Sequence, residues 1–146
     1  MSIQTWKDEF MPVDAADVAK RDALAHSCRK WLGLTPENMK RHRVGFNGSW
    51  RVLYPINMRA CDAVNVINVD DSTCALCHHF CIDHECDTCP LFKARGGYPC
   101  DKPNVGEALA PYDAAIEGDV QPMLSSLVKL LDAQTARRKT QAARRG

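Results

Sequence analysis

Six cysteines crowd the stretch from position 74 to position 100: Cys74, Cys77, Cys81, Cys86, Cys89 and Cys100. Two C-x-x-C pairs, Cys74/Cys77 and Cys86/Cys89, flank a spacer of eight residues. A tetrahedral metal needs four soft ligands, and each C-x-x-C turn offers two thiolates from one short piece of backbone. The same stretch is poor in core-forming side chains, with Leu76, Phe80, Ile82, Leu91, Phe92 and Tyr98 as its main apolar residues. It is also broken by Pro90, Gly96, Gly97, Pro99 and Pro103. Residues 74–104 are therefore expected to form a loop-like lobe that a metal must staple, because so small a core cannot order it alone.

Zn²⁺ is the first choice, since closed sites of four sulfurs are typically structural zinc. The simplest set is Cys74, Cys77, Cys86 and Cys89. Cys100 can fold back over Gly96-Gly97 and replace one member of the first pair, so the expected ligands are four of these five. Cys81, His78, His79 and His84 are further donors, because imidazole also binds zinc. An iron–sulfur cluster, likewise held by four thiolates, is the minor alternative. Disulfides are the other rival. The opening stretch MSIQTWKDEFMPVDAADV has no apolar signal region, so a reducing cytoplasm and reduced thiols are expected. No run of 18 apolar residues predicts a membrane helix, and no membrane partner is expected.

The remainder of the chain reads as a small α+β domain. Residues 14–32 carry a helical stripe of Val18, Leu24, Ala25, Cys28, Trp31 and Leu32, with Asp14 as cap and Gly33 as stop. On this reading Cys28 is a packing residue. Thr35-Pro36-Glu37 starts a second, short helix over 36–42. Gly45 to Gly48 is expected to be a turn. Residues 50–56 and 63–69 alternate like strands and predict a short antiparallel sheet, with Trp50, Val52 and Tyr54 sharing the inward face. Cys61 has no spacing that ties it to the cluster. A last helix is expected from Gly118-Asp119, with Met123, Leu124, Leu127, Val128, Leu130 and Leu131 as its apolar face. The pattern fades after Ala133. The expected division is one domain over 1–134 and a basic, fraying tail over 135–146.

Two other groups of residues invite a functional reading. His78, His79, Asp83 and His84 lie close in sequence, as in a metal-dependent nuclease, but lack the H-E-x-x-H spacing on a helix that would aim them. From Lys40 to Arg59 there are five Lys/Arg and no acid, interleaved with Phe46, Trp50 and Tyr54. Cations for phosphates with aromatic faces for bases suit nucleic acid. The tail adds Arg137, Arg138, Lys139, Arg144 and Arg145, yet the net charge of +1 gives no strongly basic whole-protein field.

Taken together, DEFMP at 8–12, KWLGLTPENMKRH at 30–42, CALC at 74–77, CDTCPL at 86–91, Cys100-Asp101, APY at 110–112 and GDVQPML at 118–124 form an ordered set. In this the chain resembles small cysteine-rich accessory proteins of tailed bacteriophages and prophages, of the C-x-L-C … C-x-x-C-P-L type. The likeness spans about residues 6–131. It implies a host bacterial cytoplasm and a role outside the virion, and it carries over no catalytic residue. Its motif cysteines are Cys74, Cys77, Cys86, Cys89 and Cys100.

The expectation is a zinc-stabilised, non-enzymatic accessory protein that binds a host or phage protein. The alternatives are a nucleic-acid-binding module using residues 40–59 and the tail, a small nuclease, or a thiol oxidoreductase built on a C-x-x-C.

Overall fold

The computed structural model describes residues 3–56, 66–81 and 86–145. Its first element is a helix the sequence pattern did not announce, α1 (Ile3–Phe10). Trp6 and Phe10 stand four residues apart on one helical face, and both are buried. Trp6 Nε1–H donates to the carbonyl of Gly33 at 2.8 Å. Gly33 has helical backbone angles, φ −64° and ψ −17°, so it is not needed for a left-handed turn. A Cβ there would lie 2.6 Å from Phe10 Cγ, so close approach is what calls for glycine.

The helix expected over 14–32 is shorter than its pattern. A 3₁₀ turn at Lys20–Asp22 leads into α2 (Ala23–Leu32). Asp14 does not cap it but pairs with Lys7 at 3.6 Å. The buried stripe holds Leu24, Cys28 and Trp31 as expected, whereas Ala25 and Leu32 are exposed. Lys30, which is not among the expected stripe residues, is fully buried. Helix α3 (Pro36–His42) starts where Thr35-Pro36 predicts, and Thr35 Oγ1 accepts from Asn38 N at 3.4 Å.

Arg43, in the left-handed region at φ 55°, turns the chain directly into β1 (Val44–Asn47). The expected turn at Gly45–Gly48 is thus mostly strand. The reversal comes later, over 48–51, with Arg51 at φ 58°. β2 (Val52–Pro55) pairs antiparallel with β1, Phe46 opposite Leu53, and with β3 (Ile67–Asn68), Leu53 opposite Ile67. The order is β1-β2-β3. Because Trp50 and Arg51 belong to the turn, the alternation starts afresh at Val52. The inward residue is Leu53, fully buried, while Trp50 is 54% exposed. The predicted inward face of Trp50, Val52 and Tyr54 is therefore corrected. The second expected strand, 63–69, is seen only in its last part, since 57–65 lie outside the described residues, Cys61 among them.

Helix α6 (Pro111–Ile116) precedes α7 (Gln121–Arg145), whose first amide donates to Asp119 Oδ1 at 3.2 Å. Met123, Leu124 and Leu127 of α7 are buried, and α7 packs along α2. Trp31 sits in this seam, edge-on to Tyr112 of α6 at 6.3 Å. The helix continues to Arg145, beyond the end of its apolar pattern, with an exposed surface. The cysteine lobe is not loop throughout: α4 (Ala75–Phe80) packs on α2, and α5 (Pro90–Ala94) packs on α7. The whole is a small α+β domain with a three-stranded antiparallel sheet. Among the described residues, no helix is long and apolar enough to cross a membrane.

Candidate metal centre

Helix α4 changes the meaning of the cysteine spacing. Cys74 and Cys81 are its two caps, and Cys77 lies within it. Positions i, i+3 and i+7 fall on one helical stripe, so Cys74, Cys77 and Cys81 face the same way. The second pair sits at the start of α5, where Cys89 precedes Pro90 and Cys89 N–H donates to Cys86 O at 2.9 Å. Both pairs and Cys100 line a single cavity, together with Cys81. The cavity measures about 360 Å³ including its open mouth, and Trp31, Leu76, Leu91, Phe92, Met123 and Leu127 complete its wall. It thus lies at the joint between the lobe and the α2–α7 core.

Each of the five motif cysteines is brought to this cavity, and so is Cys81, which the spacer position had left as a secondary donor. Its helical spacing from Cys74 and Cys77 was the signal available in the sequence. All seven described cysteines are free thiols. Cys28 lies apart on α2, where burial pushes its thiol up, with a smaller push from the Asp132 charge.

The return of Cys100 depends on a residue that no motif marked. Arg95, just after α5 and buried, donates to the carbonyls of Tyr98 (3.1 Å), Pro99 and Lys102 (3.0 Å), and pairs with Glu107. Asn104 closes the arrangement by donating to Arg95 O at 3.1 Å. A guanidinium with several fixed donors suits this task. The far side of Cys100 is anchored by Tyr112 N–H donating to Cys100 O at 2.9 Å.

On the α2 side, Ser27 Oγ lies 3.5 Å from Cys74 Sγ and accepts from Leu76 N at 3.2 Å. Lys30 Nζ donates to Asp70 O at 2.6 Å and stands 4.4 Å from the Trp31 ring. Trp31, in the cavity wall, is buried, and among the described residues its Nε1–H has no hydrogen-bond partner. A buried donor without an acceptor is costly.

Four of the cavity thiols are pushed towards their protonated form. Hydrogen bonding with Cys77 and then burial push Cys74 far up. Cys77 is pushed up to about 12, first by hydrogen bonding with Cys100. Burial is the first cause for Cys81 and Cys89, both raised, although the amides of Phe92 and Leu91 favour the Cys89 thiolate. A C-x-x-C oxidoreductase needs a lowered thiol instead. A divalent cation reverses the balance, because a coordinated thiol is deprotonated outright. Among the described residues, no three or more His, Cys, Asp or Glu side chains stand close enough together to hold a metal ion as they are placed. The thiols line the cavity wall rather than meet at one point. As a donor set, clustered soft sulfurs around one cavity suit a thiophilic metal.

His79 is engaged away from the cavity. His79 Nε2–H donates to Val18 O at 2.6 Å, tying α4 to the segment before α2, and the His78 ring lies edge-on to it at 5.1 Å. Asp83 and His84 lie outside the described residues. In the basic stretch, Arg41 holds both carboxylate oxygens of Glu9, at 2.6 and 2.5 Å, and Arg51 donates to Tyr112 Oη at 3.3 Å. Two of its five cations thus serve the fold. Comparison with protein-family models, curated proteins and solved structures gives no match.

Proposed function

We propose that this chain is a zinc-stapled, non-enzymatic binding protein. Zn²⁺ held by four of Cys74, Cys77, Cys86, Cys89 and Cys100 fastens the 74–104 lobe to the α2–α7 core, and the finished domain binds another protein. The observation that carries this reading is that both C-x-x-C pairs and Cys100 line one cavity at that joint. A closed thiolate site leaves no coordination position for a substrate, which favours support over catalysis. The resemblance of the ordered motifs to those of phage accessory proteins supports a host or phage protein as partner, in the host cytoplasm.

Trp50 is the aromatic that a partner would find. It is 54% exposed, with its backbone N–H anchored on Asn47 Oδ1 at 3.0 Å. Large aromatics on fixed turns are common anchors of protein interfaces. The same exposure supports nucleic acid as a second reading, in which Trp50 stacks on a base and the basic end of α7 meets phosphates.

The test is native purification of the full chain with analysis of metal and of co-purifying macromolecules. The proposal expects zinc and a protein partner that survives nuclease treatment and is lost on Trp50→Ala with the fold retained. Sub-micromolar nucleic-acid binding at about 0.15 M salt, lost on Trp50→Ala, favours the second reading, since base stacking contributes roughly 1–3 kcal/mol. Its salt slope should shrink when Arg137, Arg138 and Lys139 become Ala.

A further inference from the structure

A single tetrahedral ion uses four thiolates, yet six line this cavity. Cys81, the C-terminal cap of α4, lines the same cavity as Cys74 and Cys77 at the other end and middle of that helix. Two tetrahedral ions present eight coordination positions, and six thiolates fill them when two sulfurs are shared. We propose that Cys74, Cys77, Cys81, Cys86, Cys89 and Cys100 together bind a pair of Zn²⁺ ions bridged by two of their sulfurs.

This rests on the zinc-stapled reading above and extends it from one ion to two. Charge gives no reason to stop at four ligands. Six thiolates on two divalent ions carry the same net charge as four thiolates on one, so the fifth and sixth add ligands without adding net charge. The surroundings suit an anionic cluster. Lys30 is fully buried within electrostatic reach of Cys74, and the Trp31 indole carries a buried N–H that has no acceptor among the described residues. Both polar groups come from α2, on the core side of the cavity. The apolar remainder of the wall, from Leu76 to Leu127, limits access of water and competing ligands. Each thiol that binds releases its proton to solvent as the Zn–S bond forms, with no change of oxidation state.

The experiment is native mass spectrometry with elemental analysis on the full chain, titrated with Zn²⁺ alone, followed by replacement with ¹¹³Cd²⁺ for NMR. Two ions per chain are expected, with two cadmium resonances coupled to one another through shared sulfur. One ion per chain overturns the pair and leaves the single staple standing; no bound ion overturns both readings. Two ions with uncoupled resonances overturn the bridging. Visible thiolate-to-iron absorption in the natively purified protein overturns zinc. Cys81→Ser is expected to lower the count from two to one, and retention of two overturns its place in the cluster. Should that variant fail to fold, the wild-type count and coupling still decide.

Discussion

Gly33→Ala sets two opposing effects against each other. The backbone at Gly33 is helical, so alanine there should limit the unfolded chain and stabilise by about 0.4–1 kcal/mol. The new Cβ, however, would lie 2.6, 2.8 and 2.9 Å from Phe10 Cγ, Cδ2 and Cβ. These are ring and stem atoms, not the end of a flexible side chain. Phe10 is itself held, with Trp6 at 5.8 Å and the buried His42 ring edge-on at 5.6 Å. Gly33 O also takes the Trp6 indole bond, so moving the helix end away strains that contact. Overpacking a well-filled core costs typically 1–3 kcal/mol, so the net loss is expected at about 1–2 kcal/mol. For a chain of this size that corresponds to a fall in Tm of about 2–8 °C. The assay is urea unfolding at fixed free Zn²⁺, with Phe10→Leu and the double variant closing a cycle. The smaller, more adaptable side chain should recover part of the loss. A neutral or stabilising Gly33→Ala would refute the close-approach argument and leave the backbone effect alone.

Other consequences follow from the same packing. Glu9 is held down to about 2, first by its hydrogen bond to Arg41, so its contribution is complete above the ordinary carboxylate range and is lost as pH falls from about 4.5 to about 2. Glu9→Gln should flatten that part of the stability–pH curve; an unchanged acid limb refutes the linkage. Trp31→Ala should destabilise by about 3–5 kcal/mol in urea unfolding, because it empties the seam between α2, α6 and α7. His79→Ala should lower stability by about 1 kcal/mol through the lost bond to Val18 O while leaving metal content unchanged; loss of metal would make His79 a ligand.

Local chemistry made some of this architecture legible. Thr35-Pro36 supplies both a cap oxygen and a preset φ, and the helix begins there. The stripe of Leu24, Cys28 and Trp31 reached the core, but α2 also buries Ala23, His26, Ser27 and Lys30 because α4 and α1 pack on it besides α7. The pattern failed upstream, where residues 14–19 form turns and 20–22 a 3₁₀ segment although their apolar spacing suits a helix. In the sheet, Trp50 obscured the register: period-two alternation cannot show where a strand begins, and a left-handed Arg51 separates Trp50 from the run it resembles. Helix α1 and the burial of Lys30 depend on contacts distant in sequence, namely Gly33 and Asp70, which no local pattern reports. The cysteine lobe hid α4 because its apolar content is low. Its helical stripe is written in thiols instead.

The central claim is that the thiols of the 74–104 lobe hold a metal and that the metal holds the lobe. Amide hydrogen exchange of the full chain, with Zn²⁺ and again after chelation, tests it most directly. Chelation is expected to strip protection from α4, α5 and the Cys100 return while α1 to α3 keep theirs. Equal protection of the lobe with and without metal would contradict it.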